Sequence, residues 1–127
     1  MQSLLIENIT MPEFEEGLKK TRTVIIPVGS VEEHGPHLPL STDTMQAYEV
    51  AVETSKKVPV FVAPPIHYGV CRSTSQHPGT ISITTTTLKS LIKDISVSFS
   101  KQGLKNFLIV SGHAGGTHTS ALVDVCE

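Results

Sequence analysis

The sequence predicts an α/β domain built on a mostly parallel sheet with helices on both faces. Three observations predict it. Three short runs, Thr23–Val28, Val58–Ala63 and Asn106–Val110, are apolar and lack strict alternation, as strands buried on both faces do. Each run is followed by a loop and then by a helical segment. Such connections make right-handed crossovers, which place helices on both faces of a parallel sheet. No internal repeat or low-complexity linker interrupts the order, so residues 1–127 read as a single domain.

The elements follow from local chemistry. Thr10 with Glu13 three residues later is a capping-box pattern, and Pro12 is tolerated in a first turn. A helix from about Met11 to Lys20 is expected, with Lys19 and Lys20 at its negative end. Gly29-Ser30 ends the first strand, and Gly35, Pro36 and Pro39 keep the chain irregular to about Thr42. Thr42 or Asp43 caps the next helix, roughly Thr44 to Lys57, with Ala47, Val50, Ala51 and Thr54 on its apolar face. Pro59 stands at the start of the second strand, and Pro64-Pro65 stops it. After a long loop, Thr86 or Thr87 caps a third helix that runs to about Gln102 and closes at Gly103. Its apolar side holds Leu88, Leu91, Ile92, Ile95 and Phe99. Beyond the third strand, the turn Gly112–Gly116 leads into a fourth helix from Thr117 to Glu127.

Composition excludes several classes. The 127 residues are 39% hydrophobic and 17% charged, too apolar for disorder and too polar for a membrane protein. The net charge is −2 and basic residues do not cluster, which argues against nucleic acid as a partner. No apolar run approaches the roughly 20 residues needed to span a bilayer. The first turns carry Glu7, Glu13, Glu15 and Glu16 and no cationic leader, so no signal peptide is read there. Cys71 and Cys126 are far apart and suggest neither a disulfide framework nor a cysteine metal site; a reduced, cytoplasmic setting is expected.

Six histidines are a surplus in a chain with no Trp and 5% aromatics. All six fall after a strand and before, or at the start of, the next helix: His34 and His37, His67 and His77, His113 and His118. In an open parallel sheet those segments meet at the carboxyl edge, where ligands bind. The richest stretch is Glu32-Glu33-His34-Gly35-Pro36-His37-Leu38-Pro39-Leu40-Ser41-Thr42-Asp43. Carboxylates with imidazoles suit a divalent ion of the zinc, manganese or iron type. Glu32 and His34, two apart, share a face in extended chain, and Asp43 can return to them after the proline-fixed loop. The alternative is that the glutamates are solvated and Asp43 is only a helix cap. His113 sits in Ser111-Gly112-His113-Ala114-Gly115-Gly116, whose glycines let the backbone approach a bound group; Gly112 is a candidate substrate contact. The polar loop from Tyr68 to Thr80 is a candidate substrate wall, with Ser75 and His77 as its contacts. Cys71 has no evident activating partner, and no Gly-x-Ser-x-Gly elbow is present, so nucleophilic catalysis is not expected.

At these residues the sequence resembles the creatininase family of metal-dependent amidohydrolases. Val28-Gly29-Ser30-Val31-Glu32-Glu33-His34-Gly35-Pro36-His37-Leu38-Pro39 through Asp43 matches the family pattern Gly-Ser-x-Glu-x-His-Gly-Pro-His-Leu-Pro-x-x-x-Asp. Pro78-Gly79-Thr80 matches its Pro-Gly-Thr element, and Ser111-Gly112-His113 its Asn/Ser-Gly-His element. The resemblance implies a three-layer α/β/α sandwich. It implies Glu32, His34, Asp43 and His113 as metal ligands, with Asp43 bridging two divalent ions (Zn, Mn or Fe), Glu32 and His113 on one and His34 on the other. The implied chemistry is hydrolysis of a C–N amide bond of a small cyclic amide or formamide by a metal-activated water, in a homo-oligomer.

Two departures shape the expectation. Creatininase itself carries a Glu two residues after the histidine, where this chain has Gly115, so the ion on His34 and Asp43 is expected to be held less tightly. Family members are about twice as long, and the His that serves them in proton transfer is expected beyond residue 127. No catalytic residue is therefore assigned, and the chain is expected to correspond to the family's N-terminal portion. The two functional readings are an amidohydrolase completed by further chain, and a non-catalytic metal-binding or assembly remnant of the same family.

Overall fold

A computed structural model of the chain describes residues 3–127. A 3-10 turn (Ile6–Asn8) precedes α1 (Met11–Leu18), β1 (Thr23–Val28), α2 (Thr42–Ser55), β2 (Phe61–Val62), α3 (Thr85–Lys101), β3 (Asn106–Ser111) and α4 (Gly116–Cys126). Among the described residues the strands form one sheet in the order β2-β1-β3, all parallel. β1 is central and pairs with β3 along its whole length, from Thr23 opposite Asn106 to Val28 opposite Ser111.

The pleat of β1 divides the core. Val24, Ile26 and Val28 pack on one face with Phe61 and with Leu88 and Ile92 of α3, Ala121 and Leu122 of α4, and Phe14 and Leu18 of α1. Ile25 points the other way, toward Ala51 and Tyr48 of α2. The result is the three-layer α/β/α sandwich, with α2 alone on one side and α1, α3 and α4 on the other. No helix among the described residues is long and apolar enough to cross a membrane.

Helix starts and strand lengths depart from the sequence expectation in informative ways. The Thr10–Glu13 capping box forms, with Glu13 Oε2 accepting from the Thr10 N–H at 2.6 Å. For α3 the capping oxygen is that of Thr84, not Thr86 or Thr87, so the helix begins at Thr85. For α2 the N-cap is Ser41, without a side-chain hydrogen bond, and neither Thr42 nor Asp43 caps it. The second strand contracts to Phe61–Val62: Pro59 has no N–H to give, and the Val58 N–H is spent on Thr54 of α2. β3 is an edge strand rather than a doubly buried one, and Leu108, in register with Ile25 on the α2 face of the sheet, is 49% exposed. On α2, Val50 faces solvent, and the packed positions are Thr44, Ala47 and Ala51.

Gly17 tests how tightly this core closes. It is buried within α1, and a Cβ there would lie 2.6 Å from Phe61 Cζ and 2.9 Å from Leu4 Cδ2. Alanine in a helix interior gains about 0.5–1 kcal/mol over glycine, whereas overpacking costs about 1–3 kcal/mol. Gly17→Ala is therefore expected to destabilise the chain by roughly 1 kcal/mol in denaturant unfolding; a stabilised variant would show that α1 sits loosely on Phe61.

Candidate metal centre

The carboxyl ends of the three strands bring separate loops to one place. After β1 the chain runs through Ser30, Glu32 and His34 and returns to Asp43 in the first turn of α2. That turn presses against the strand ends. A Cβ on Gly29 would run into Thr44, and one on Gly112 into the Asp43 carbonyl. Gly112 thus permits the close approach of α2 to the end of β3.

The loop between β1 and α2 is braced by backbone and hydroxyl hydrogen bonds. The Glu32 N–H donates to the Leu40 carbonyl at 2.9 Å, and the Thr42 hydroxyl donates to the Pro39 carbonyl at 2.6 Å. The Pro78-Gly79-Thr80 turn braces it from outside. The Glu33 N–H donates to Thr80 Oγ1 at 2.9 Å, and the Ile81 N–H donates to the Val31 carbonyl at 2.9 Å. Gly79 makes that turn at φ +87°, a conformation glycine adopts without strain.

Asp43 is the meeting point. Its side chain is 9% exposed; Oδ2 accepts from Ser30 Oγ at 2.6 Å. His34 Nε2 lies 3.0 Å from Oδ1, and His113 Nδ1 lies 3.1 Å from Oδ2. Glu32 Oε1 is 3.4 Å from the same His113 nitrogen, and the Thr74 hydroxyl donates to Glu32 Oε2 at 2.6 Å.

The tautomers follow from the partners. His34 Nδ1 lies 2.9 Å from the Glu32 carbonyl, and His113 Nε2 lies 2.8 Å from the Val70 carbonyl. Carbonyls only accept, so these nitrogens carry the protons. The opposite nitrogen of each ring, His34 Nε2 and His113 Nδ1, then faces a carboxylate oxygen, which also has no proton to give. Each pair is satisfied by a second ring proton or would be satisfied by a bound cation. In the metal-free protein the His34 pKa is raised, first by its hydrogen bond to the Glu32 carbonyl and then by the Asp43 charge, against desolvation. Histidines whose outer N–H is held by a backbone carbonyl are the usual form of metal-ligating imidazole. The carboxylate and imidazole donors gathered here suit a divalent ion.

His118 is not a ligand in this arrangement. It is fully buried; its Nδ1 accepts from the Val70 N–H at 3.1 Å, and its Nε2 lies 3.3 Å from Ser111 Oγ. Burial, followed by its neighbour His113, lowers its pKa to about 4, so the ring is neutral. Val70 is held through its N–H by His118 and through its carbonyl holds His113. Cys71 comes next, buried, with its backbone N–H donating to Ser82 Oγ at 2.8 Å. Burial and the Glu32 charge push its thiol up to about 11.

Of the sequence-predicted site residues, Glu32, His34, Asp43 and His113 are brought together. Ser75 and His77 are exposed on the loop after Cys71 and do not line the cleft of about 160 Å³ bounded by Glu32, Val70, Cys71, Arg72, His113 and Gly115. Gly112 is occupied in packing against Asp43. Gly115 has φ −56°, so its lack of a side chain is not a conformational need. A Cβ there would lie 2.7 Å from His113 Nε2, so the glycine leaves room for the His113 ring. Sequence reasoning missed Ser30 and Thr74, whose hydroxyls orient the two carboxylates.

The comparisons with known proteins agree with this geometry. A family model described as creatinine amidohydrolase, of the creatininase family, matches residues 7–127. The mycofactocin precursor peptide peptidase of Mycolicibacterium smegmatis is 39% identical over 104 residues, covering 77% of this chain and 42% of the relative. The 3-dehydro-scyllo-inosose hydrolase of Thermotoga maritima is 31% identical over 110 residues, covering 84% and 35% respectively. A mutant creatininase of Zn–Zn type superposes with a TM-score of 0.89 at 22% identity, over 99% of this chain and 50% of that one. The chain thus spans half or less of the length of these proteins. With the family model matching residues 7–127 of the chain, and the two imidazoles and two carboxylates gathered at the sheet edge, the chain belongs to the creatininase family.

Proposed function

We propose that this chain is the metal-holding part of an amidohydrolase that cleaves a C–N amide bond in a small-molecule or peptide substrate. The observation that carries the reading is the pair of imidazoles whose second ring nitrogens, those not held by a backbone carbonyl, face the two oxygens of one buried carboxylate. The family's hydrolases and the Zn–Zn description of the solved neighbour support it. Glu32 and His113 would hold one divalent ion and His34 a second, with the Asp43 carboxylate available to both. Ions at these positions supply a Lewis acid for the amide carbonyl and acidify water at neutral pH. The residues of this chain do the rest. Ser30 and Thr74 fix the carboxylates, the Glu32 and Val70 carbonyls fix the imidazoles, and the cleft walled by Arg72 and His113 admits substrate beside them.

The reading extends to assembly. Leu108 on the open edge of β3 and Val123 on α4 are both about half exposed, which supports self-association in solution, in a homo-oligomer. Sedimentation at micromolar concentration is expected to show species larger than a monomer, and a single monomeric species would contradict this.

Metal content tests the main reading. After zinc loading and dialysis, elemental analysis of the chain is expected to find bound zinc. Asp43→Ala should lose more zinc than His34→Ala, because both ions would share that carboxylate, whereas His34→Ala should keep the ion on Glu32 and His113. Equal loss in the two variants, with circular dichroism unchanged, would remove the bridging role. Ser30→Ala, which frees Asp43 Oδ2 from its hydroxyl donor, should weaken zinc binding about 10-fold or more in calorimetric titration; unchanged affinity would show that the Ser30 hydroxyl does not orient the ligand.

A further inference from the structure

We propose that Cys71 is an additional protein ligand toward the ion held by Glu32 and His113, giving that position a preference for thiophilic divalent ions such as zinc or cadmium over manganese. The proposal rests on the metal-centre reading and names a ligand that neither the sequence motifs nor the carboxylate–imidazole set contains. Glu32, Cys71 and His113 each place a ligand atom within 4.8 Å of the others, a cluster that shares Glu32 with the one made by Glu32, His34 and Asp43. Cys71 is 2% exposed, and its Sγ lies 3.9 Å from His113 Nε2. That nitrogen gives its proton to the Val70 carbonyl, so the sulfur is a weak second contact and not a committed acceptor. Val70 thus holds the His113 ring through its carbonyl, and the Cys71 thiol lies beside that ring, uncommitted.

The position of the thiol is fixed by the Cys71 N–H on Ser82 and by the Val70 N–H on His118. It lies on the wall of the same cleft as Glu32 and His113. A sulfur beside a carboxylate and an imidazole matches the mixed donor set that zinc accepts and that the harder manganese ion does not favour. On coordination the sulfur–metal bond forms and the thiol proton leaves to solvent. No oxidant or other reactant is required. Without a metal, the thiol is protonated and unreactive, which explains why a cysteine in a catalytic cleft need not be a nucleophile.

Cobalt(II) in place of zinc gives the test, because its spectrum reports ligands separately from activity. The intact chain is expected to show visible d–d bands from the occupied centre together with a near-ultraviolet thiolate-to-cobalt charge-transfer band. Cys71→Ser and Cys71→Ala should both keep the d–d bands and lose the charge-transfer band. Cys126→Ser should keep both, since Cys126 is exposed at the far end of α4. In competition, Cys71→Ser should lower the preference for zinc over manganese by about tenfold. Visible bands in the intact chain without a charge-transfer band would overturn the cysteine ligand and leave the metal centre standing. Absence of any cobalt spectrum would overturn the metal-centre reading and this proposal with it.

Discussion

The centre depends on one buried carboxylate shared by two imidazoles. Asp43 has lost most of its contact with water, and burial of an ionised group is tolerated only when it is paired and hydrogen-bonded. Here a hydroxyl, Ser30, holds one oxygen, and an imidazole stands against each oxygen. Removing any of these partners leaves charge or lone pairs without compensation. The rest of the carboxyl edge is arranged to keep them in place.

The sandwich supplies that arrangement through strand order. β1 is central, so the loops that follow β1 and β3 emerge side by side, and the loop after β2 closes over them. Val70, in that loop, is the joint between His118 and His113. Thr74 from the same loop reaches Glu32, and Thr80 further along braces Glu33. Several residues that look catalytic by type are thus structural. His118 is a neutral, buried post, and the Pro-Gly-Thr turn is a brace. The glycines at 29 and 112 matter for what they leave out, since a methyl group at either would push α2 and Asp43 away from the strands.

Much of this was legible in the sequence because burial and periodicity act locally. The apolar run of β1, the Thr10–Glu13 box and the placement of all histidines after strands each depend on residues close together in the chain. The alternative that Asp43 is only a helix cap fails because its side chain turns to Ser30, His34 and His113, while α2 starts without a side-chain cap. What was not legible depends on long-range placement. The edge position of β3 is set by strand order, which its apolar composition does not report. The roles of Thr74 and Cys71 arise because residues 42 positions apart meet at the cleft, and nothing in their immediate neighbours marks them. Ser75 and His77 are exposed on that loop, away from the residues that line the cleft.

Opposite nitrogens of His34 and His113 face one shared carboxylate, each ring locked by a backbone carbonyl. Nitrogen-15 spectra of the imidazoles, recorded as zinc is added, test it most directly. His34 is expected to bind through Nε2 and keep its proton on Nδ1, while His113 binds through Nδ1 and keeps its proton on Nε2. Zinc bound through the same nitrogen in both rings, or no change at either, would contradict it.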